Sequence, residues 1–251
     1  MMIVLAHLSD IHIDNDERSI ERATSVLNYL NDLTGTIDAV IVSGDLADHG
    51  LHEEYEQVAK LFAGPHTLLH CPGNHDARGP YREVLLGEEA SNEPINRVHH
   101  VGGAVFAMCD SSIPGRSEGF LADGTLTWLE SVLIEAGDAP VFVCFHHPPV
   151  LLYQPYIDNI KQHGEDRLAA LITRYSNVVA VLCGHAHTAA ASTFADRPLL
   201  VAPGVVSTLI LPWESDKIVD LEVPPAIAFH ILDDERRLTT HYRVMSPGLK
   251  R

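Results

Sequence analysis

Two unbroken apolar runs, VFVCF (141–145) and VVAVLC (178–183), constrain the fold more than any other feature of this chain. A strand with one wet face alternates apolar and polar residues. A strand that is apolar throughout is covered on both faces, as in a parallel sheet. Other β-rich runs alternate with helix-period stretches around them. IVLAHL (3–8), AVIVSG (39–44) and HTLLHC (66–71) read as strands, and VHHV (98–101) with AVFAMCD (104–110) reads as a hairpin turned by Gly102-Gly103. Between the runs, Ile20, Ala23, Leu27 and Leu30 share one helical face, as do Leu51, Tyr55, Val58 and Phe62. Leu126, Leu129, Leu133 and Ala136 mark a further helix with Thr125 as its N-cap, and Leu168, Leu171, Ile172 and Tyr175 another. After residue 188 the pattern is all-β: ASTF, PLLVAP, STLIL, AIAFHIL and LTTHYRV. The periodicities alone predict one α/β domain over 1–251, built on a central mixed sheet. The region from about 205 to 251 is β-rich and is expected to contribute to a cleft or a dimer contact.

The ends of these strands carry the chemistry. SDIH brings Asp10 and His12, SGDLAD brings Asp45 and Asp48, PGNHD brings Asn74, His75 and Asp76, FHHP brings His146 and His147, and GHAH brings His185 and His187. Open α/β sheets bind ligands beyond the carboxyl ends of their strands, so five strands aim polar tips at one region. Strand alternation is expected to set His185 and His187 on the same side. Without a cation the region would be in conflict, because neighbouring, partly desolvated carboxylates do not both ionise comfortably. A pair of divalent cations removes the conflict, with one aspartate between them. Nitrogen and oxygen ligands without thiolate suit Zn, Mn, Fe, Co or Ni better than Ca or Mg.

D-x-H, G-D, G-N-H-D, H and G-H-x-H in this order resemble the calcineurin-like metallophosphoesterases. The resemblance runs from Asp10 to His187. It implies a four-layer α/β/β/α sandwich, two mixed β-sheets flanked by helices. It also implies that Asp10, His12 and His187 bind one metal, that Asn74, His146 and His185 bind the other, and that Asp45 bridges them. His75 then lies beside the phosphate and stabilises charge or protonates the leaving oxygen, with Asp76 orienting it. Asp76 has a plainer reading as a turn cap.

Two departures narrow the branch. Asp48 stands where purple acid phosphatases carry a tyrosine ligand, so a tyrosinate–iron(III) site is not expected. His49 stands where Ser/Thr protein phosphatases carry a phosphate-clamping arginine, which disfavours phosphomonoesters and protein substrates. What remains looks most like class III cyclic nucleotide phosphodiesterases and glycerophosphodiesterases. The expected activity is hydrolysis of small phosphodiesters such as 3′,5′-cyclic AMP, using a hydroxide bridging two divalent ions of Mn, Fe, Zn or Co. A phosphomonoesterase or nucleotidase, a glycerophosphodiesterase and an inactive binding scaffold are the alternatives. His147, Tyr153 and Tyr156 are candidates for contact with the substrate, the tyrosines by stacking on a base or shaping a pocket.

Partners and location follow from composition. A formal net charge of −17 argues against a nucleic-acid polymer or an anionic membrane as partner. No apolar run approaches the roughly 20 residues that span a bilayer, and the start lacks a basic leader segment, so the cytoplasm is the expected location. Cys71, Cys109, Cys144 and Cys183 sit in or at the end of apolar runs without C-x-x-C spacing, which predicts reduced, packed thiols. The resembled branch also implies a homodimer through late strands and loops.

Overall fold

The structure is a computed structural model that describes residues 2–245; the last six residues of the expected β-rich tail lie outside the described residues. Strands β1 (Ile3–Leu8), β2 (Ala39–Ser43) and β3 (Leu68–Cys71) are parallel, and each is followed by a polar loop. Helix α1 (Glu17–Asn31) follows β1 and α2 (His52–Phe62) follows β2. After β3 come a short α3 (Arg78–Tyr81) and a π-helical turn over 82–86. Strands β4 (Arg97–Val101) and β5 (Ala104–Met108) form the expected hairpin, with positive φ at Gly102 and Gly103.

A two-residue strand β6 (Gly119–Phe120) precedes α4 (Asp123–Glu135) and β7 (Val141–Cys144). Then follow α5 (Pro155–Asp158), β8 (Gln162–His163), which pairs with β6, α6 (Glu165–Thr173) and β9 (Val178–Cys183). The remainder holds β10 (Ala190–Phe194), β11 (Arg197–Val201), the small pair β12 (Thr208–Leu209) and β13 (Val219–Asp220), β14 (Ala226–Leu232) and β15 (Leu238–Val244).

These strands make two mixed sheets rather than one central sheet. The first has the order β15-β14-β1-β2-β3 and the second β10-β11-β9-β7-β5-β4. Leu5, Ile41 and Leu232 of the first pack against Phe106, Phe142 and Leu182 of the second. The Phe106 and Phe142 rings stack with centroids 5.0 Å apart. The outer face of the first sheet, with Ala6, Val40 and Val42, is covered by Ala23, Val26 and Leu30 of α1 and by Tyr55 and Val58 of α2. The outer face of the second is covered by Leu129 and Leu133 of α4 and Leu168 and Ile172 of α6. The result is the four-layer α/β/β/α arrangement, and the unbroken apolar strands are explained by cover on both faces.

Details differ from the periodic reading. Val26, not Leu27, is the buried residue in the middle of α1. Leu51 is the N-cap of α2 and is 46% exposed. Helix α4 begins at Asp123 with Ala122 as N-cap, so Thr125 lies inside it, buried, accepting a hydrogen bond from Asn96 Nδ2. All four cysteines are buried and free. Among the described residues no helix is long and apolar enough to cross a membrane.

Candidate metal centre

The loops after β1, β2, β3, β7 and β9 meet at one end of the sandwich. Backbone pairing continues past the strands, with Asp10 N–H donating to Gly44 O (3.1 Å) and His12 N–H to Asp45 O (3.0 Å). The conformation there is not extended. Asp10, His12, Asp45, His185 and His187 all have positive φ, and they are five of the ten such non-glycine residues among the described residues. Residues held in that region cost of order 1–3 kcal/mol each, so the surrounding structure must enforce them. Strand alternation therefore does not place His185 and His187, because β9 ends at Cys183. Left-handed turns at both residues send His185 Nδ1 to within 3.2 Å of His146 Nε2, and His187 Nε2 to within 3.2 Å of His12 Nε2.

Outer contacts fix which ring nitrogens face inward. Asp48 Oδ1 accepts a hydrogen bond from His12 Nδ1–H (2.7 Å), and the Ser43 carbonyl accepts one from His146 Nδ1–H (2.7 Å). His187 Nδ1 lies 2.7 Å from Ser207 Oγ, which can accept from it. The Nε2 lone pairs of these three rings consequently point into the cluster. There, His12 Nε2 is 3.4 Å from Asp45 Oδ2, His146 Nε2 is 3.2 Å from the same oxygen, and His187 Nε2 is 3.3 Å from Asp10 Oδ1. Three buried atoms nearby have no hydrogen-bond partner: Asp10 Oδ1, Asn74 Oδ1 and His185 Nε2. The inward Nε2 atoms of His12, His146 and His187 thus face carboxylate oxygens as acceptors, and buried acceptors facing one another are costly without a cation. The residues fit divalent metal. Asp10, His12, Asp45 and His187 form one group able to hold an ion, and His146, His147 and His185 form a second.

The electrostatics show the same demand. Burial lowers the His146 pKa, but Asp45, Asp10 and the Ser43 carbonyl outweigh it and raise it to about 9. His12 is raised against its own burial by the Asp48 hydrogen bond, Asp45 and Asp10. Burial pushes Asp45 up, yet His146, His12 and His75 hold it well below the carboxylate range. Protons stand in for positive charge. His187 and His185 are driven the other way by burial, His187 to about 4, and stay neutral.

The remaining expected residues divide. His75 is at the rim, 41% exposed, with its ring edge-on to His12. Asp76 does not touch it. The Asp76 carboxylate accepts from Gly73 N–H, Leu46 N–H, Ala47 N–H and Tyr55 O–H, tying the β2 and β3 loops to α2. The partner of His75 is Asp48, whose carbonyl oxygen accepts from His75 Nδ1–H at 2.8 Å. The expected orienting role of Asp76 is therefore corrected to that of a loop tie. Burial and the neighbouring Asp45, opposed by those backbone N–H groups, raise its pKa to about 6. His147, expected as a substrate contact, is fully buried, with Nδ1 2.8 Å from Ser111 Oγ, Nε2 3.2 Å from the Ser117 carbonyl and its ring edge-on to His146. Tyr153, on the loop after β7, and Tyr156, in α5, are exposed and lie outside the buried cluster. Asp48, one of the polar strand-end residues of the sequence, takes the role of orienting His12 and His75, and Ser207 and Tyr55 join the site without a signal in the sequence.

The family model of the calcineurin-like phosphoesterases matches residues 3–189. The chain belongs to that family. Its members use divalent metals, and this chain is a metal-dependent phosphoric ester hydrolase. Similar proteins include the glycerophosphodiester phosphodiesterase GpdQ of Enterobacter lignolyticus, 32% identical over 241 residues, or 91% of this chain and 86% of that protein. The cAMP/cGMP dual specificity phosphodiesterase of Mycobacterium tuberculosis is 30% identical over 217 residues, covering 82% of this chain and 68% of that one. The fold is shared with a dimetal phosphatase from Danio rerio, at TM-score 0.73 and 14% identity over 97% of this chain and 96% of that one.

Proposed function

We propose that this calcineurin-like phosphoesterase hydrolyses small phosphodiesters, cyclic nucleotides among them, with two divalent cations. Asp10, His12 and His187 hold the first, Asn74, His146 and His185 the second, and Asp45 lies between. The observation that carries the reading is the meeting of His12, His146 and His187 Nε2 with the buried carboxylates of Asp45 and Asp10, where Asp10 Oδ1 has no hydrogen-bond partner. The names of the similar proteins support the diester class.

When bound, such ions supply hydroxide from water near neutral pH and neutralise charge on the phosphoryl oxygens. The chain's own residues do the rest. Asp48, the Ser43 carbonyl and Ser207 hold three imidazoles in one tautomer, so no reorientation is needed on loading. His75, fixed through Nδ1–H to the Asp48 carbonyl, keeps Nε2 free at the exposed rim. As hydroxide oxygen bonds to phosphorus, the phosphorus–oxygen bond to the alcohol breaks, and His75, entering the step as imidazolium, passes its Nε2 proton to the departing oxygen and is left neutral. Manganese-reconstituted enzyme should hydrolyse cyclic AMP or a glycerophosphodiester with higher kcat/KM than a phosphomonoester. A clear preference for the monoester would overturn the diester assignment.

A further inference from the structure

The peptide unit joining Asp48 to His49 is gripped from both ends. Its carbonyl oxygen accepts from His75 Nδ1–H at 2.8 Å, and its N–H donates to Glu54 Oε2 at 3.0 Å. The same Glu54 oxygen accepts from Leu51 N–H (3.0 Å), and Oε1 faces His49 Nδ1 at 2.8 Å. Glu54 is 1% exposed, so these contacts act with little competition from water. An N–H that donates to a buried carboxylate polarises its amide and makes the attached carbonyl a stronger acceptor. The anion that His75 feels is then relayed through a peptide bond.

We propose that Glu54, assisted by His49, is a positioning residue for the leaving-group step. It polarises and holds the 48–49 peptide so that His75 keeps its place and its acceptor. This rests on the acid role given to His75 above. The His49 ring completes the brace, with Nε2 3.4 Å from Asp48 Oδ2. Its other charged neighbours are Glu54 and Asp14; the hydrogen bond to Glu54 and the charge of Asp48 raise its pKa.

The plain alternative is that Glu54, at the third position of α2, merely caps the helix at Leu51. A cap affects stability but does not distinguish leaving groups. The test is Glu54→Gln in the metal-loaded enzyme, assayed on bis(4-nitrophenyl) phosphate and on an alkyl phosphodiester whose alkoxide needs a proton to leave. The expected result is a kcat loss of about tenfold on the alkyl diester, a fraction of what a general acid contributes. KM and metal content should stay at wild-type values, and the nitrophenyl diester should lose less than about twofold because its leaving group needs no acid. Equal losses on both substrates, or no loss on either, overturn the proposal. If Glu54→Gln does not fold, His49→Gln carries the test, since His49 is 61% exposed. It should cost about threefold on the alkyl diester alone, and an unselective effect rejects the brace. His75→Gln separates the two levels: if it too fails to discriminate the substrates, the acid role of His75 is what fails.

Discussion

Replacing Gly184 by alanine tests how tightly the strand ends set the candidate centre. Gly184 packs against the ends of β1 and β2. A Cβ there would stand 1.8 Å from Ser9 Oγ, 2.7 Å from Ser9 Cβ and 2.8 Å from the Ser43 carbonyl oxygen. The hydroxyl can rotate away; the other two atoms belong to paired strand ends and cannot. Ordinary contact begins at 3.4 Å, so residue 184 must retreat by about 0.6–0.7 Å. His185 and His187 follow directly, and the Ser43 carbonyl also holds His146. Metal–ligand distances tolerate only about ±0.2 Å. Gly184→Ala should therefore cost about 1–3 kcal/mol of stability through overpacking, and about 10–100-fold in metal affinity. Urea unfolding and calorimetric titration with Mn²⁺ read the two effects. Gly64→Ala, where a Cβ meets nothing within 4 Å, should be neutral in both. A folded Gly184→Ala protein with wild-type metal affinity and kcat would refute the reasoning.

Two other expectations follow. Burial lowers the His230 pKa to about 3 from 6.5, so below pH 6.5 the unfolded chain takes up a proton that the folded chain refuses. Stability falls as the pH drops through that window, by roughly 2 kcal/mol at pH 5. Urea unfolding of the metal-free protein at pH 7.5 and pH 5 should show a loss smaller by that amount in His230→Asn, and an identical loss in both proteins would contradict the assignment. For Asp76→Asn, the carboxylate's four donors meet a group with one accepting oxygen, so stability should fall by about 1–3 kcal/mol. kcat should change equally for good and poor leaving groups; a selective loss on the alkyl diester would restore Asp76 as the partner of His75.

Much of this was legible because strand ends announce themselves. An apolar run such as VVAVLC cannot continue into GHAH as a buried strand, so the polar residues had to be loop tips, and parallel strands put their tips on one side. Periodicity could not say whether the second face of such a strand is covered by a helix or by another sheet, and the residue pattern alone suggested one sheet where there are two. The Asp76 contact differs from its expected one for a related reason. Adjacency to His75 in sequence does not fix direction, and the loop turns Asp76 inward to backbone N–H groups while Asp48 approaches from another strand. The π-helical turn at 82–86 and the pair β12–β13 are too short to leave a periodic trace. Buried His7 and His230, 3.0 Å apart on neighbouring strands, read in the sequence as ordinary strand residues, because only tertiary packing joins them.

The most direct test of the dinuclear reading is metal content. After reconstitution with Mn²⁺ and removal of free ion, elemental analysis should find two ions per chain in the wild-type protein and about one in Asn74→Ala, whose missing carbonyl oxygen is a buried atom without a hydrogen-bond partner. One ion or none in the wild type, or two held undiminished in Asn74→Ala, would contradict the account.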